Sequence, residues 1–278
     1  MSLASTPPAS LSRDTGRASA AAAMPLPSQV GMLAWRALVV TVRVPAAVVP
    51  SLAISLFTLF VYQGQFGGVA GVFLRGGSYL GFLLPLALLS ATLSGAGVAG
   101  QVIVRDIERG YFDKLSLTPA SRWALLLGPM LAGAVALALQ AAIIILVALL
   151  LGLRSETSLA GLLAVGGLAV LVGVAFSGLM VGVALLTGNA AATQGVAFLF
   201  FPLTLLTATF VPVDRLQGWI RVAARVNPIT YLLEPMRATL NTGWDGPALL
   251  RGLAVGLLML AVLFAVALYG LGARTRRR

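Results

Sequence analysis

The stretch RDIERGYFDKLSLTPASR, Arg105–Arg122, decides how the rest of the chain is read. It gathers Arg105, Asp106, Glu108, Arg109, Asp113, Lys114 and Arg122 into 18 residues. On either side, residues 76–104 and 123–153 carry no charge. The whole chain is 59% hydrophobic and only 10% charged, whereas soluble domains hold about 25% charged residues. A spanning helix takes ~20 apolar residues to cross ~30 Å of hydrocarbon. The charged stretch is therefore an island between two membrane spans.

Inside the island the punctuation is helix, break, helix. Gly110 ends a helix that emerges from the preceding span. Thr118 followed by Pro119 reads as an N-cap with proline at the first helical position, which starts the next. Between them, Phe112 and Leu115 are three apart, and Asp113 and Lys114 lie off that face. Two readings stay open. The segment is a solvated loop that fixes topology, or its large apolar residues Tyr111, Phe112 and Leu117, rimmed by charge, form an interaction surface.

Working outward, six spans are expected near 45–62, 78–103, 123–153, 159–187, 193–211 and 248–271. Pro85, Pro129 and Pro202 fall inside spans and are expected to kink them. Gly178 and Gly182 form a GxxxG pair suited to close helix approach. Placing the amino terminus inside puts 12 of the 19 Lys and Arg residues on the inner side, including the RTRRR tail. Both termini then lie in the cytoplasm and the charged island is the first cytoplasmic loop. Residues 1–27, rich in Ser, Ala and Pro, read as a disordered tail. Ser28 caps an expected helix to Arg43. Its stripe of Gln29, Arg36 and Arg43 suits the membrane interface, the other reading being the start of the first span.

Composition removes several functions. There is no cysteine and no histidine, which excludes disulfides, thiol chemistry and the commonest base and metal ligand. The formal charge of +11 fits anionic lipid facing cytoplasmic loops rather than nucleic acid. A P-loop needs GxxxxGK[ST], and Lys114, between Asp113 and Leu115, is the sole lysine. No carboxylate sits within a span, which leaves a secondary transporter or an intramembrane enzyme without the usual groups. Gln140 is the strongly polar residue deep in a span. It lines a substrate path or makes an interhelical hydrogen bond.

ERGYFDKLSLTPASR resembles the cytoplasmic-loop signature of the ABC type 2 permease family, especially its daunorubicin-resistance-like drug exporters. Glu108, Arg109, Gly110, Asp113, Leu115, Thr118, Pro119, Ser121 and Arg122 carry the likeness. A second stretch, FVPVDRLQGWIRVAARVNPITYLLEPMRATL, resembles the family's outer segment, with Asn227, Pro228, Tyr231 and Arg237 in order. The resemblance spans roughly residues 28–275, so 28–278 reads as one ABC type 2 transmembrane domain. It implies an all-α exporter subunit that pairs with a second permease copy or paralogue. Two cytoplasmic ATP-binding-cassette subunits would supply the hydrolysis, so ATP and Mg would sit on the partner and no cofactor on this chain. It further implies that Glu108, Arg109, Gly110, Phe112, Asp113, Leu115 and Pro119 couple the permease to its ATPase, with Phe112 and Leu115 docking into a groove. Amphipathic drugs or lipid-like compounds are the implied substrates, with oligosaccharides the alternative.

Residues 212–246 carry helical spacing in two pieces broken at Asn227–Pro228. Ile229, Leu232, Leu233, Met236 and Leu240 form an apolar stripe. Thr230, Glu234, Arg237 and Asn241 form the polar stripe. Each piece of about 12 residues reaches ~18 Å, too short to cross. A re-entrant helical hairpin before the sixth span is expected, serving as an outer gate built on Asn227, Pro228, Tyr231, Glu234 and Arg237, its polar stripe facing a water-filled vestibule.

Overall fold

The computed structural model describes residues 24–43, 49–68, 78–116, 121–198, 200–207 and 216–276. Among them every regular element is a helix: α1 Leu26–Arg43, α2 Val49–Phe66, α3 Tyr79–Glu108, α4 Tyr111–Ser116, α5 Arg122–Leu150, α6 Ser158–Thr187, α7 Ala190–Phe198, α8 Phe200–Leu205, α9 Gly218–Val226, α10 Pro228–Asn241 and α11 Gly246–Arg276.

Five of these, α2, α3, α5, α6 and α11, are long and apolar enough to cross a membrane. Helix α3 runs five residues beyond its expected end and delivers the charged island as an extension of the span. Gly110, in the left-handed region at φ 64°, turns the chain after it. The expected cap at Thr118 and Pro119 lies outside the described residues. Ser121 caps α5 instead, its hydroxyl accepting from the Trp123 amide. Helix α1 begins at Leu26, ahead of Ser28. Helices α3 and α5 continue through Pro85 and Pro129. Where a fifth span is expected, the described residues form the short helices α7 and α8, neither long enough to cross, and residues 199 and 208–215 lie outside the described set. The expected tail, 1–27, is described from Met24 onward.

Helices α3 and α6 form the centre, while α2, α5 and α11 are mostly exposed. Those three present Ile54, Phe57, Phe60, Leu139, Leu146, Leu150, Leu258 and Tyr269 outward. In water such a surface would aggregate. In hydrocarbon it is matched to its solvent, and the helices satisfy their own backbone groups.

The long helices alternate between two ends of the bundle. At one end lie Asp106, α4, the last turn of α6 and Arg274 of α11. The Arg274 Nη1 donates to the Leu185 carbonyl at 3.2 Å. At the other lie the first turns of α3, α6 and α11 with the carboxyl end of α10. There the Ser78 amide donates to Asn241 Oδ1 at 3.0 Å, and the Thr157 hydroxyl to the Thr239 carbonyl at 2.8 Å. These are called the α4 end and the α10 end.

Lipid gives no hydrophobic drive to helix pairing, so contact depends on how closely backbones approach. Gly182 of the GxxxG pair and Gly270 provide this for α6 and α11, whereas a β-carbon on Gly178 would meet nothing closer than 3.4 Å. A β-carbon on Gly182 would lie 2.9 Å from the Val266 carbonyl, and one on Gly270 would lie 2.7 Å from the Gly182 oxygen. Both glycines are needed because any side chain forces the helices apart. Gly167, on the same helix, has nothing within 4 Å. Gly182→Leu should therefore destabilise the detergent-solubilised protein by about 3 kcal/mol, read as a lowered thermal midpoint. Gly167→Leu should leave that midpoint near wild type.

Candidate functional site

The α4 end is held by two arginines. Arg36 of α1 makes a forked contact with Asp106 of α3, Nη1 to Oδ2 at 3.0 Å and Nη2 to Oδ1 at 2.7 Å. Such bidentate pairs fix orientation as well as charge. The hydrogen bond to Asp106 raises the Arg36 pKa above its ordinary value, against the opposing effect of burial. The same guanidinium lies 4.0 Å over the Tyr111 ring of α4. From the other side, Arg274 lies 5.7 Å over the Phe112 ring. Its bond to the Leu185 carbonyl satisfies an open group at the carboxyl end of α6, where a cation is also favoured by the helix dipole.

The sequence reading placed Phe112 on an outward docking face. The structure corrects this. Phe112 is 4% exposed and packs with Ile103, Val104, Leu126, Met130 and Leu185. The physical reason is the left-handed turn at Gly110, which folds the first turn of α4 back onto the bundle. What α4 and its approach turn outward are Glu108, Arg109 and Lys114, all exposed, with Gly110 and Leu115 half-buried. The Asp113 side chain and Pro119 lie outside the described set. Helix α1 has its own contacts with the bundle. Two members of its polar stripe bind protein, Arg36 as above and Gln29 through Oε1, which accepts from the Ser121 amide at 2.8 Å. Arg43, Met32 and Trp35 are exposed.

At the α10 end, Asn227 caps α10 by accepting from the Ile229 amide at 3.0 Å, while its Nδ2 donates to the Leu203 carbonyl at 2.6 Å. Pro228 is the first helical residue. The apolar stripe Ile229, Leu232, Leu233, Met236 and Leu240 enters the core as expected. Two members of the polar stripe turn inward and two do not, Glu234 being exposed and Asn241 half-buried. Thr230 and Arg237 are 4% and 7% exposed. Arg237 Nε donates to the Phe82 carbonyl at 3.0 Å, with the guanidinium 3.6 Å over the Phe82 ring. An aromatic face and a carbonyl stabilise a cation that would otherwise be costly to bury, which is why Arg237 turns inward. Glu234 and Tyr231 are exposed, and the Tyr231 hydroxyl donates to the Arg225 carbonyl at 2.8 Å. Gln140 is 2% exposed and donates to the Ser51 hydroxyl at 2.9 Å, so it ties α5 to α2 and lines no open path.

One further surface was not anticipated. Between Tyr79 and Gln101, the residues of α3 that are not buried are Ser90, Leu93, Ser94, Val98 and Gln101. Their spacing puts them on one stripe. Gln194 of α7 lies across it, its Oε1 3.4 Å from Gln101 Nε2. An outward polar stripe in the middle of an apolar helix was visible in the sequence as serines at i and i+4. The sequence alone could not say which face α3 leaves uncovered.

The family profile described as ABC-2 type transporter matches residues 28–241, from α1 to the last residue of α10. The chain belongs to the ABC-2 type transporter family. It is similar to the daunorubicin resistance ABC transporter permease protein DrrB1 of Streptomyces coeruleorubidus, 23% identical over 210 residues, which covers 74% of this chain and 73% of that protein. It is also similar to the probable doxorubicin resistance ABC transporter permease protein DrrC of Mycobacterium tuberculosis, 24% identical over 155 residues and 56% of each chain. This ABC-2 chain is thus a multi-pass membrane subunit of a transporter rather than an enzyme.

In this ABC-2 subunit the anchoring of α4 has a direct readout. Lys114 is the sole lysine of the chain and is exposed, so a lysine-specific protease cuts once, within α4. Removing a buried phenylalanine ring costs about 3–5 kcal/mol, and cleavage tracks local opening. Phe112→Ala should speed cleavage at Lys114 at least tenfold. An unchanged cleavage rate would show that the ring does not hold α4.

Proposed function

We propose that this chain is the membrane-spanning part of an ATP-driven exporter that moves an amphipathic drug or lipid-like compound outward across the cell membrane. ATP and Mg bind on a separate ATP-binding-cassette subunit, and two permease chains, identical or paralogous, enclose the path. The observation that carries this reading is α4. It is a six-residue helix fastened by both of its aromatic residues, with Lys114 and the adjoining Glu108 and Arg109 left exposed. A charged knob fixed to the bundle, on a chain that lacks any P-loop, suits a separate ATPase that pushes on it. In this account Glu108, Arg109, Lys114 and Leu115 meet the ATPase, with Asp113 and Pro119 beside them, while Gly110 and Phe112 set the position of α4.

Six crossings are supported by parity. Helix α6 ends at the α4 end and α11 begins at the α10 end, so residues 188–245 must cross once more, and α7 with α8 supplies that passage. Helix α1, with Trp35 and Met32 exposed beside the membrane-spanning α5, lies in the interface. The α9–α10 pair is a re-entrant hairpin: each helix is too short to cross, yet α10 packs inside the bundle. Asn227, Pro228, Tyr231 and Glu234 shape that hairpin, and Arg237 fastens it to α3, so it serves as the gate on the far side. Arginine asymmetry places the α4 end and both termini in the cytoplasm. The stripe of Ser90, Ser94 and Gln101 faces the transport path, because hydroxyls and amides directed into lipid are unfavourable.

One cysteine tests the reading. The chain has none of its own, so Lys114→Cys is a unique label site. A membrane-impermeant maleimide should label it in inside-out vesicles but not in intact cells. Adding the ATPase subunit should slow labelling at least tenfold. Labelling in intact cells would reverse the orientation, and no protection by bound ATPase would remove α4 from the docking surface.

A further inference from the structure

The helices that pass through the middle of this protein carry no charge at mid-span. Residues 76–104, 123–153 and 157–213 contain no Asp, Glu, Lys or Arg. The chain's eight acidic residues are Asp14, Asp106, Glu108, Asp113, Glu156, Asp214, Glu234 and Asp245. Asp106, Glu108 and Asp113 gather at the α4 end. Glu156 and Asp245 adjoin the first turns of α6 and α11, and Glu234 lies in α10. Among the described residues, α3, α5, α6, α7 and α8 place only neutral polar groups at the level in between.

Those groups form a patch. Ser94 is exposed, and Gln101 is half-buried with its Nε2 3.5 Å from the Ala190 carbonyl and 3.4 Å from Gln194 Oε1. A β-carbon on Gly97 would lie 3.7 Å from Gln194 Oε1, so the Gln194 amide lies over the gap between Ser94 and Gln101. Phe198, one turn beyond Gln194 on the same face of α7, is 72% exposed. With α7 running from the α4 end, one turn brings its ring to about the level of Ser94. A hydroxyl, a carboxamide and an aromatic ring thus lie at neighbouring levels on one uncovered side of α3 and α7. Ser94 is 15 residues from the start of α3, roughly 22 Å at 1.5 Å per residue, which is well inside the hydrocarbon.

Resting on the exporter reading above, we propose that Ser94, Gln101, Gln194 and Phe198 form a substrate subsite for an uncharged, hydroxyl-bearing ring compound and select against its cationic amine counterpart. A neutral hydroxyl exchanges hydrogen bonds with Ser94 and Gln194 while the ring stacks on Phe198. An ammonium at the same depth finds acceptors but no carboxylate on α3, α5, α6, α7 or α8 at that level. Since desolvated cations need a counter-charge, the amine loses at this step. A pairing of two identical chains leaves the level equally uncharged.

The test is a matched pair of fluorescent probes: daunorubicin, which carries a primary amine, and its neutral aglycone. Binding is read by fluorescence anisotropy to the permease in phosphatidylcholine nanodiscs, with empty nanodiscs subtracted. The aglycone should bind at least tenfold more tightly. Ser94→Asp should shift the ratio at least tenfold toward the amine. Gln194→Glu, at an exposed position where folding is not at stake, should shift it in the same direction. Equal or tighter binding of the amine by the wild type, no binding of either probe, or an unchanged ratio in both variants overturns the proposal. Failure of the exporter reading shows separately, as an ATPase subunit that does not co-purify.

Discussion

The forked bond between Arg36 and Asp106 joins the first described helix to the far end of the most buried one, 70 residues later. Everything at the α4 end is arranged around it. It fixes α1 alongside the bundle and brings the guanidinium over Tyr111. With Phe112 pinned between the core and Arg274, α4 becomes part of the bundle rather than a loop hanging from it. A coupling element must be rigid to transmit a push, and side-chain anchoring on both of its faces makes it so.

The distribution of charge follows the same division. Charged groups gather at the two ends, where water or the headgroup layer solvates them, and the mid-spans of the long helices have none. Arg237 is the buried exception near the α10 end, and it is held by the Phe82 carbonyl and ring. The bundle therefore carries its rigid polar joints at its ends and relies on close backbone contact in the middle, as at Gly182 and Gly270. Among the described residues, that division leaves the α3 stripe as a polar surface open to a moving substrate.

Much of this was legible in the sequence because it is written in local signals. Uncharged runs gave the long helices, Gly110 the turn, Gly182 of the GxxxG pair a tight crossing, and Asn227–Pro228 the cap of α10. The family signature lay in the same island of charge. What escaped was every feature set by a distant neighbour. Spacing put Phe112 and Leu115 on one face but did not reveal that the turn at Gly110 drives Phe112 inward. Helical period separated the two stripes of α10, yet the ring and carbonyl of Phe82, 155 residues away, decided that Arg237 is buried. Arg36 and Asp106 were each visible as charges, one assigned to lipid and one to a loop, and only the fold pairs them.

The central claim is that this pair, not general packing, locks α1 and α3 together at the α4 end. A double-mutant cycle on Arg36→Ala and Asp106→Ala, read by equilibrium unfolding in mild detergent, measures it directly. Charge-assisted hydrogen bonds in a part-buried site predict a coupling energy of about 1–3 kcal/mol. Additivity of the two substitutions, within about 0.3 kcal/mol, would contradict the account.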